Sequence, residues 1–390
     1  MTDTSEFDTT TPRKKLVGKV ADLIDRSGID PDDISAITKV NLWQGMSKDD
    51  NGDPVVTDLV GVQLSPAWAD GPQWPVVQPA APVTVKYRKP PAVKYDHTTT
   101  VLLPDPQIGY LRYDDGTLEP MHDERAMDVA VQIVGHVRPH RVINLGDFLD
   151  LSEWSSKFVV YPEFVQTTQP ALDRGHRFLA DQRAAADDIT DIDLLGGNHD
   201  DRLALSVARN AKAALRLRPG GSTPESWPVL SLPSLLQLDS LGVTYTGAYP
   251  AGQVKVADAH GEQAPLYARH GKRTDMAKQA KAERQSYVQG HAHHFSVHSE
   301  TYDNDRKPLQ VQSWSLGCLC RTDGAVPSTN GGYDDHGRPA LNIESWQQMV
   351  AVVTETEAGW WLEPVMIHDG AAFYRGESFH SRVDLHGEPL

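Results

Sequence analysis

The spacing of apolar residues changes along the chain. From Lys15 it is helical, with Leu16, Val20, Leu23 and Ile24 on one face before Ser27-Gly28 ends the run. Asp30-Pro31-Asp32-Asp33 then reads as an N-cap, an N1 proline and the acidic first turn of a second short helix carrying Ile34, Ile37 and Val40. Residues 1–12 are polar and rich in Thr and Asp, a composition expected of a disordered tail. Residues 64–96 lose all periodicity and gain proline, the pattern of an extended linker. These shifts divide the chain into a tail (1–12), a small helical N-terminal region (13–63), a linker (64–96) and a catalytic-size domain (97–390) with a β-rich C-terminal completion.

Beyond residue 97 β-like and helical runs alternate. Thr98–Leu103 and Arg141–Leu145 are β-rich, and Met127, Ala130, Val131, Val134 and Val137 between them suit a helix. A helix over 170–187, a strand at Ile192–Leu195 and a helix over 201–215 continue the alternation. Strands follow near 243–247, 265–269 and 286–289, then β segments at 295–302, 308–315, 348–354 and 359–367. This order predicts an α/β fold of two packed mixed sheets flanked by helices.

Composition narrows the class. With 39% hydrophobic and 23% charged residues the chain is globular. It contains no apolar run long enough for a transmembrane helix, so no membrane partner is expected. The N-terminus lacks the apolar core of a secretory signal, and Cys318 and Cys320, the two cysteines, stand too close for an unstrained disulfide. A reducing cytoplasm is the expected location. The net charge of −16 argues against tight nucleic-acid binding at long range, although local patches decide close contacts. Two short helices and a tight turn resemble a helix-turn-helix, but an acidic helix start would meet phosphate with the wrong charge. The pair is read as a cap that docks a protein partner or a second copy of the chain.

Candidate chemistry gathers after the strands. Asp105-Pro106-Gln107 follows the first, Gly146-Asp147-Phe148-Leu149-Asp150 the second and Gly197-Asn198-His199-Asp200 the third. Two later strands end in Arg269-His270-Gly271 and Gly290-His291-Ala292-His293-His294. Strand ends are where α/β folds place their sites. Asp105, Gln107, Asp147, Asn198, His270, His291 and His293 offer carboxylate, amide and imidazole donors without thiolate, which excludes structural sulfur-ligated zinc and favours Mn²⁺, Fe²⁺ or Mg²⁺. A carboxylate bridging two cations holds them about 3.5–4 Å apart, so that one hydroxide attacks phosphorus while both metals stabilise the developing charge.

In their order these motifs resemble those of the calcineurin-like metallophosphoesterases: DxH, GDxxD, GNH[DE], a lone His and GHxH, over about residues 98–300. The resemblance implies a four-layer α-β-β-α sandwich and two divalent metal ions. Asp105, Gln107, Asp147 and His293 would hold one, Asp147, Asn198, His270 and His291 the other, with Asp147 as the bridge. It also implies that His199 is the general acid at the scissile phosphate, oriented by Asp150. A carboxylate behind an imidazole independently suits that role, because it fixes the tautomer and favours the protonated ring. Asp200 and Arg202 read as a helix N-cap and a phosphate contact, or as a surface ion pair. Gln107 departs from the commonest pattern, and its neutral amide predicts lower zinc affinity and a preference for Mn²⁺ over Fe²⁺, Mg²⁺ or Zn²⁺.

Flanking charge bears on the substrate. Arg269, Lys272, Arg273, Lys278, Lys281 and Arg284 follow the lone histidine, and Arg209, Lys212, Arg216 and Arg218 form another cluster. Helical spacing places Lys278, Lys281 and Arg284 on adjoining turns, a cationic ridge suited to a nucleic-acid strand crossing the metals. The expected function is therefore a phosphodiesterase acting on nucleic acid, similar to phage-encoded and SbcD-type exonucleases. The alternatives are a small-molecule phosphodiesterase or phosphatase, a protein phosphatase, and a non-catalytic phosphoesterase-like binding module. Most of Trp314, Trp346, Trp360 and Trp361 are expected in the core.

Overall fold

Side chains on a strand alternate between faces, and three strands show this alternation sorted into two cores. In a computed structural model describing residues 12–30, 34–49, 51–66, 96–156, 162–326 and 343–390, Val101 and Leu103 point to one side of the sheet and Leu102 to the other. Val350 and Val352 likewise oppose Met349, Ala351 and Val353, and Val142 opposes Ile143. A sheet apolar on both faces must be covered on both, which makes it a central layer.

The chain divides into two compact units, Met1–Gln78 and Pro79–Leu390. The first holds helix α1 (Pro12–Ser27) and strands β1 (Ile34–Lys48) and β2 (Pro54–Pro66). The second helix expected around Ile34, Ile37 and Val40 is instead β1, paired antiparallel with β2 from Ile34↔Pro66 to Lys48↔Pro54. Asp49 closes the turn by accepting the N–H groups of Asn51 and Asp53, both at 2.9 Å, and Gly52 takes the left-handed φ of 89°. A partner strand rich in β-branched residues outweighed three apolar positions that also fit a helix. Most of the linker expected at 64–96 lies outside the described residues, as do residues 1–11.

The second unit carries β3 (His97–Leu103), β4 (Tyr110–Arg112), β5 (Leu118–Pro120), α2 (Glu124–Val137), β6 (Arg141–Asn144), α3 (Thr168–Ala185), β7 (Asp191–Leu195) and α4 (Asp201–Asn210). Short helices α5 (Leu232–Leu235) and α6 (Leu238–Leu241) precede β8 (Val243–Thr246), β9 (Gln253–Ala257), β10 (Leu266–Arg269), α7 (Met276–Glu283) and β11 (Ser286–Gln289). The hairpin β12 (Ser296–Asn304) and β13 (Lys307–Ser315) and the strands β14 (Gln348–Thr356), β15 (Gly359–His368), β16 (Ala371–Tyr374) and β17 (Glu377–His380) complete it. One sheet has the order β17-β16-β15-β14-β3-β6-β7-β8, the other β12-β13-β11-β10-β9. β3, β6, β7 and β8 run parallel, and so do β10, β11 and β13.

Leu102, Ile143, Leu195, Met349 and Ala351 of the first sheet meet Leu266, Ala268 and Val288 of the second in an apolar layer. The opposite face of the first sheet packs on α2, α3, α5 and α6 through Ile133, Phe178, Leu232 and Leu241. Asp123 caps α2, accepting the N–H groups of Arg125 and Ala126. On the outer side of the second sheet Ala280 of α7 packs with Ala264 and Val311. The layers thus run helix, sheet, sheet, helix, as expected. Trp360 is core, whereas Trp361 is half exposed.

Candidate metal centre

Parallel strands bring their C-terminal ends to one edge, and both sheets present that edge to the same place. The β3, β6 and β7 loops supply Asp105, Gln107, Asp147, Asn198 and His199; the β10 and β11 loops supply His270, His291 and His293. The sheets are tied there by a carboxylate: Asp105 accepts the backbone N–H of His291 at 2.9 and 3.0 Å.

Ligand atoms of Asp105, Asp147 and His293 lie within 4.8 Å of one another, and so do those of Asp147, His270 and His291. Asp147 belongs to both groups. Gln107 Nε2 lies 3.0 Å from His293 Nε2, and Asn198 Oδ1 lies 3.1 Å from His270 Nε2. All seven residues read from the sequence as ligands are therefore brought together. The donor chemistry fits cations: Gln107 Oε1 is buried without a hydrogen-bond partner, and a cation would satisfy it. Burial alone would lower the His270 ring, but the carboxylates of Asp147 and Asp105 raise it to about 9, a measure of the positive charge this pocket attracts. Burial and the charge of His270 push His291 down.

The backbone is shaped for this approach. Asp105, Gln107, Asp147, His291 and His293 all have φ between 40° and 70°, a region costly for residues with a side chain. A Cβ on Gly197 would collide with the backbone and carboxylate of Asp147, and one on Gly290 with the carboxylate of Asp105. The glycines of the GNH and GH motifs are thus the contact surface for the two carboxylates.

Beside the ligands, His199 Nδ1 lies 2.9 Å from Asp150 Oδ1, and the His199 backbone N–H donates to Asp147 Oδ1 at 2.8 Å. Burial would lower this ring as well; Asp147 and Asp150 outweigh it and raise His199, against the opposing charge of Arg202. Desolvation opposes ionisation of Asp150, yet His199, Arg202 and Ser152 hold it down to about 2. Arg202 donates to the Asp150 carbonyl at 2.7 Å and reaches His199 Nε2 at 3.0 Å. It is therefore in the site, not in a surface ion pair.

Asp200 occupies the position before α4 but makes no side-chain cap. Its buried carboxylate instead accepts the N–H groups of Gly197 at 2.8 Å, Leu149 at 3.1 Å and Phe148 at 3.2 Å, clasping the β6 and β7 loops together. Burial and the charge of Asp147 raise it to about 6. The sequence carried no signal for this role beyond the acidic residue in GNHD.

The three cations of the expected ridge fall at different points of α7 and its end. Lys278 lies in the first turn of α7, where its N–H is capped by Asp275, and Lys281 in the last turn. Arg284 precedes β11, and His291 lies in the loop that follows the other end of that strand. Its guanidinium lies over Tyr302, 5.3 Å from the ring centre. Arg269 pairs with Glu283 at 2.7 Å and stacks on Tyr287 at 3.9 Å. Sequence reasoning also missed Trp346, whose ring meets His293 edge-on at 4.3 Å.

No protein-family model and no curated protein matches the chain. Among solved structures it is similar to vacuolar protein sorting 29 from Cryptosporidium parvum, at 13% identity and a TM-score of 0.30, over 74% of this chain and all of that one. It is also similar to purple acid phosphatase PPD1 from yellow lupin seeds, at 10% identity and a TM-score of 0.35, over 90% of this chain and 61% of the lupin chain. Among the described residues no helix is long and apolar enough to cross a membrane.

Proposed function

We propose that the chain is a metal-dependent phosphoester hydrolase of the calcineurin-like type, with two divalent cations. The observation that carries this reading is the shared position of Asp147, which belongs to both ligand groups while hydrogen-bonding the backbone of His199. Asp105, Gln107, Asp147 and His293 would hold one cation, and Asp147, Asn198, His270 and His291 the other. Bound there, the cations supply Lewis acidity toward water and the phosphoryl oxygens.

The chain's own groups handle the proton. Asp150 orients His199 through Nδ1, leaving Nε2 to face the leaving oxygen. Arg202 holds that nitrogen in this structure, and a bound phosphate competes for its guanidinium, which forms stronger bonds to an anion than to a ring nitrogen. Drawing Arg202 onto phosphate frees Nε2 for the proton that His199 delivers as general acid.

For the substrate class, a small phosphodiester or phosphomonoester is the better reading, because Lys281 stands in the last turn of α7 and Arg284 lies over Tyr302, before β11 begins. Nucleic acid is the second reading, supported by the exposed Lys272 and Arg273 that follow His270-Gly271. One experiment tests both the class and the substrate. Metal content is measured, and a Mn²⁺ panel compares a bis-aryl phosphodiester, a phosphomonoester, cyclic nucleotides, single-stranded and duplex DNA, and RNA. Absence of bound metal and of hydrolysis across the panel rejects an enzyme in favour of a binding module.

A further inference from the structure

The strand β13 runs parallel to β11, so the loop that leaves it, Leu316–Cys320, emerges beside the loop bearing His293. Backbone bonds fix that loop against the centre. Leu316 donates to the Gln289 carbonyl at 2.8 Å and Leu319 to the Asp105 carbonyl at 3.1 Å. Gln347 links the two loops, donating to the carbonyl of His293 and accepting from the N–H of Cys318, both at 2.9 Å. The result is a third ligand group: a ring nitrogen of His293 and the sulfurs of Cys318 and Cys320 all lie within 4.8 Å of one another, and all three residues are buried. The Cys318 thiol has only weak partners, the carbonyls of Gln347 at 3.7 Å and Cys320 at 3.8 Å.

We propose that Cys318, Cys320 and His293 form a soft-cation site that shares His293 with the oxygen-rich centre. This rests on the phosphoesterase reading, and it reverses the metal preference drawn from the sequence. A set of Asp, amide and imidazole donors suits Mn²⁺, whereas two sulfurs beside an imidazole select Zn²⁺ or Co²⁺. Gln107 lowers the softness of the centre by standing where an imidazole is commoner; the thiols restore it from the loop that follows β13.

Cobalt tests this directly, because the chain has two cysteines and any thiolate-to-Co²⁺ charge-transfer band must come from them. The full chain is reduced, loaded with Co²⁺, and read by near-ultraviolet absorbance together with metal per chain. The expected result is a charge-transfer band that Zn²⁺ abolishes, that is diminished in Cys318→Ser and in Cys320→Ser, and that weakens in His293→Ala. Cobalt bound at two per chain without that band in the parent overturns the proposal and leaves the phosphoesterase reading standing. A band unchanged in His293→Ala overturns the shared histidine. Failure of the parent to bind either Co²⁺ or Mn²⁺ defeats the phosphoesterase reading, and this proposal with it. The parent alone decides thiolate ligation, so a serine variant that fails to fold does not obscure that outcome.

Discussion

Asp105 accepts the backbone N–H of His291 through both carboxylate oxygens, at 2.9 and 3.0 Å, and this contact joins the ends of two different sheets. It sets the separation of the two ligand groups, since Asp105 belongs to one and His291 to the other. Each half of the site is therefore held in place by the other, and single substitutions should be felt on both sides.

Asp147 is the common member, and Asp147→Asn should abolish turnover and lower bound metal, because a neutral amide balances two dications poorly. Metal analysis after gel filtration, alongside a phosphodiester assay, checks this. Near-normal turnover with full occupancy rejects the bridging assignment.

His199 should behave differently. His199→Ala is expected to retain metal but lose roughly 10²–10⁴-fold in rate on a poor leaving group, with a smaller loss on a nitrophenyl ester that needs no proton. Asp150→Asn should show a milder form of the same pattern. Equal losses on both esters would reject the general-acid role, and loss of metal would place His199 among the ligands.

Glu124 offers a test of stability away from the centre. Burial would raise its carboxyl, but bonds from Arg174, both at 2.6 Å, and from His122 at 3.0 Å hold it well below the usual carboxylate range. A depressed carboxyl stabilises the fold above its unfolded pKa of about 4.3 and loses that contribution as pH falls toward the folded value. Glu124→Gln should thus cost on the order of 3 kcal/mol at pH 7. In urea unfolding the gap between parent and variant should begin to narrow below about pH 4 and go on narrowing as the pH falls; a gap that stays constant down the pH series contradicts the ion-pair account.

The cationic segment gives the substrate its sharpest test. Neutralising Lys278, Lys281 and Arg284 together should leave hydrolysis of an aryl phosphodiester unchanged and the salt dependence of oligonucleotide binding intact. Were a strand to cross these residues, each lost phosphate contact would remove roughly 0.7–0.9 from the log–log slope. A flattened slope would restore the nucleic-acid reading.

The sequence by itself determined the sandwich and the seven candidate ligands. Alternating apolar runs specify strands locally, and each motif stands within a few residues of a strand end, so strand direction alone carries Asp105, Gln107, Asp147, Asn198, His270, His291 and His293 to one edge. Other features depended on partners distant in the chain. Ile34, Ile37 and Val40 fit a helix until residues 54–66 supplied a strand to pair with. Asp200 reads as a cap because the N–H groups that donate to its carboxylate, those of Phe148 and Leu149, belong to another loop. Arg284 fell on a helical ridge by spacing, but the direction of β11 takes it to the far end of the sheet. Cys318 and Cys320 signalled only a reducing compartment, because their closeness to His293 follows from the order of strands in a sheet, which no local spacing encodes. Local periodicity is fixed by backbone geometry within a few residues, whereas contacts between loops are fixed by which strands pair, and that is decided when the two cores close together.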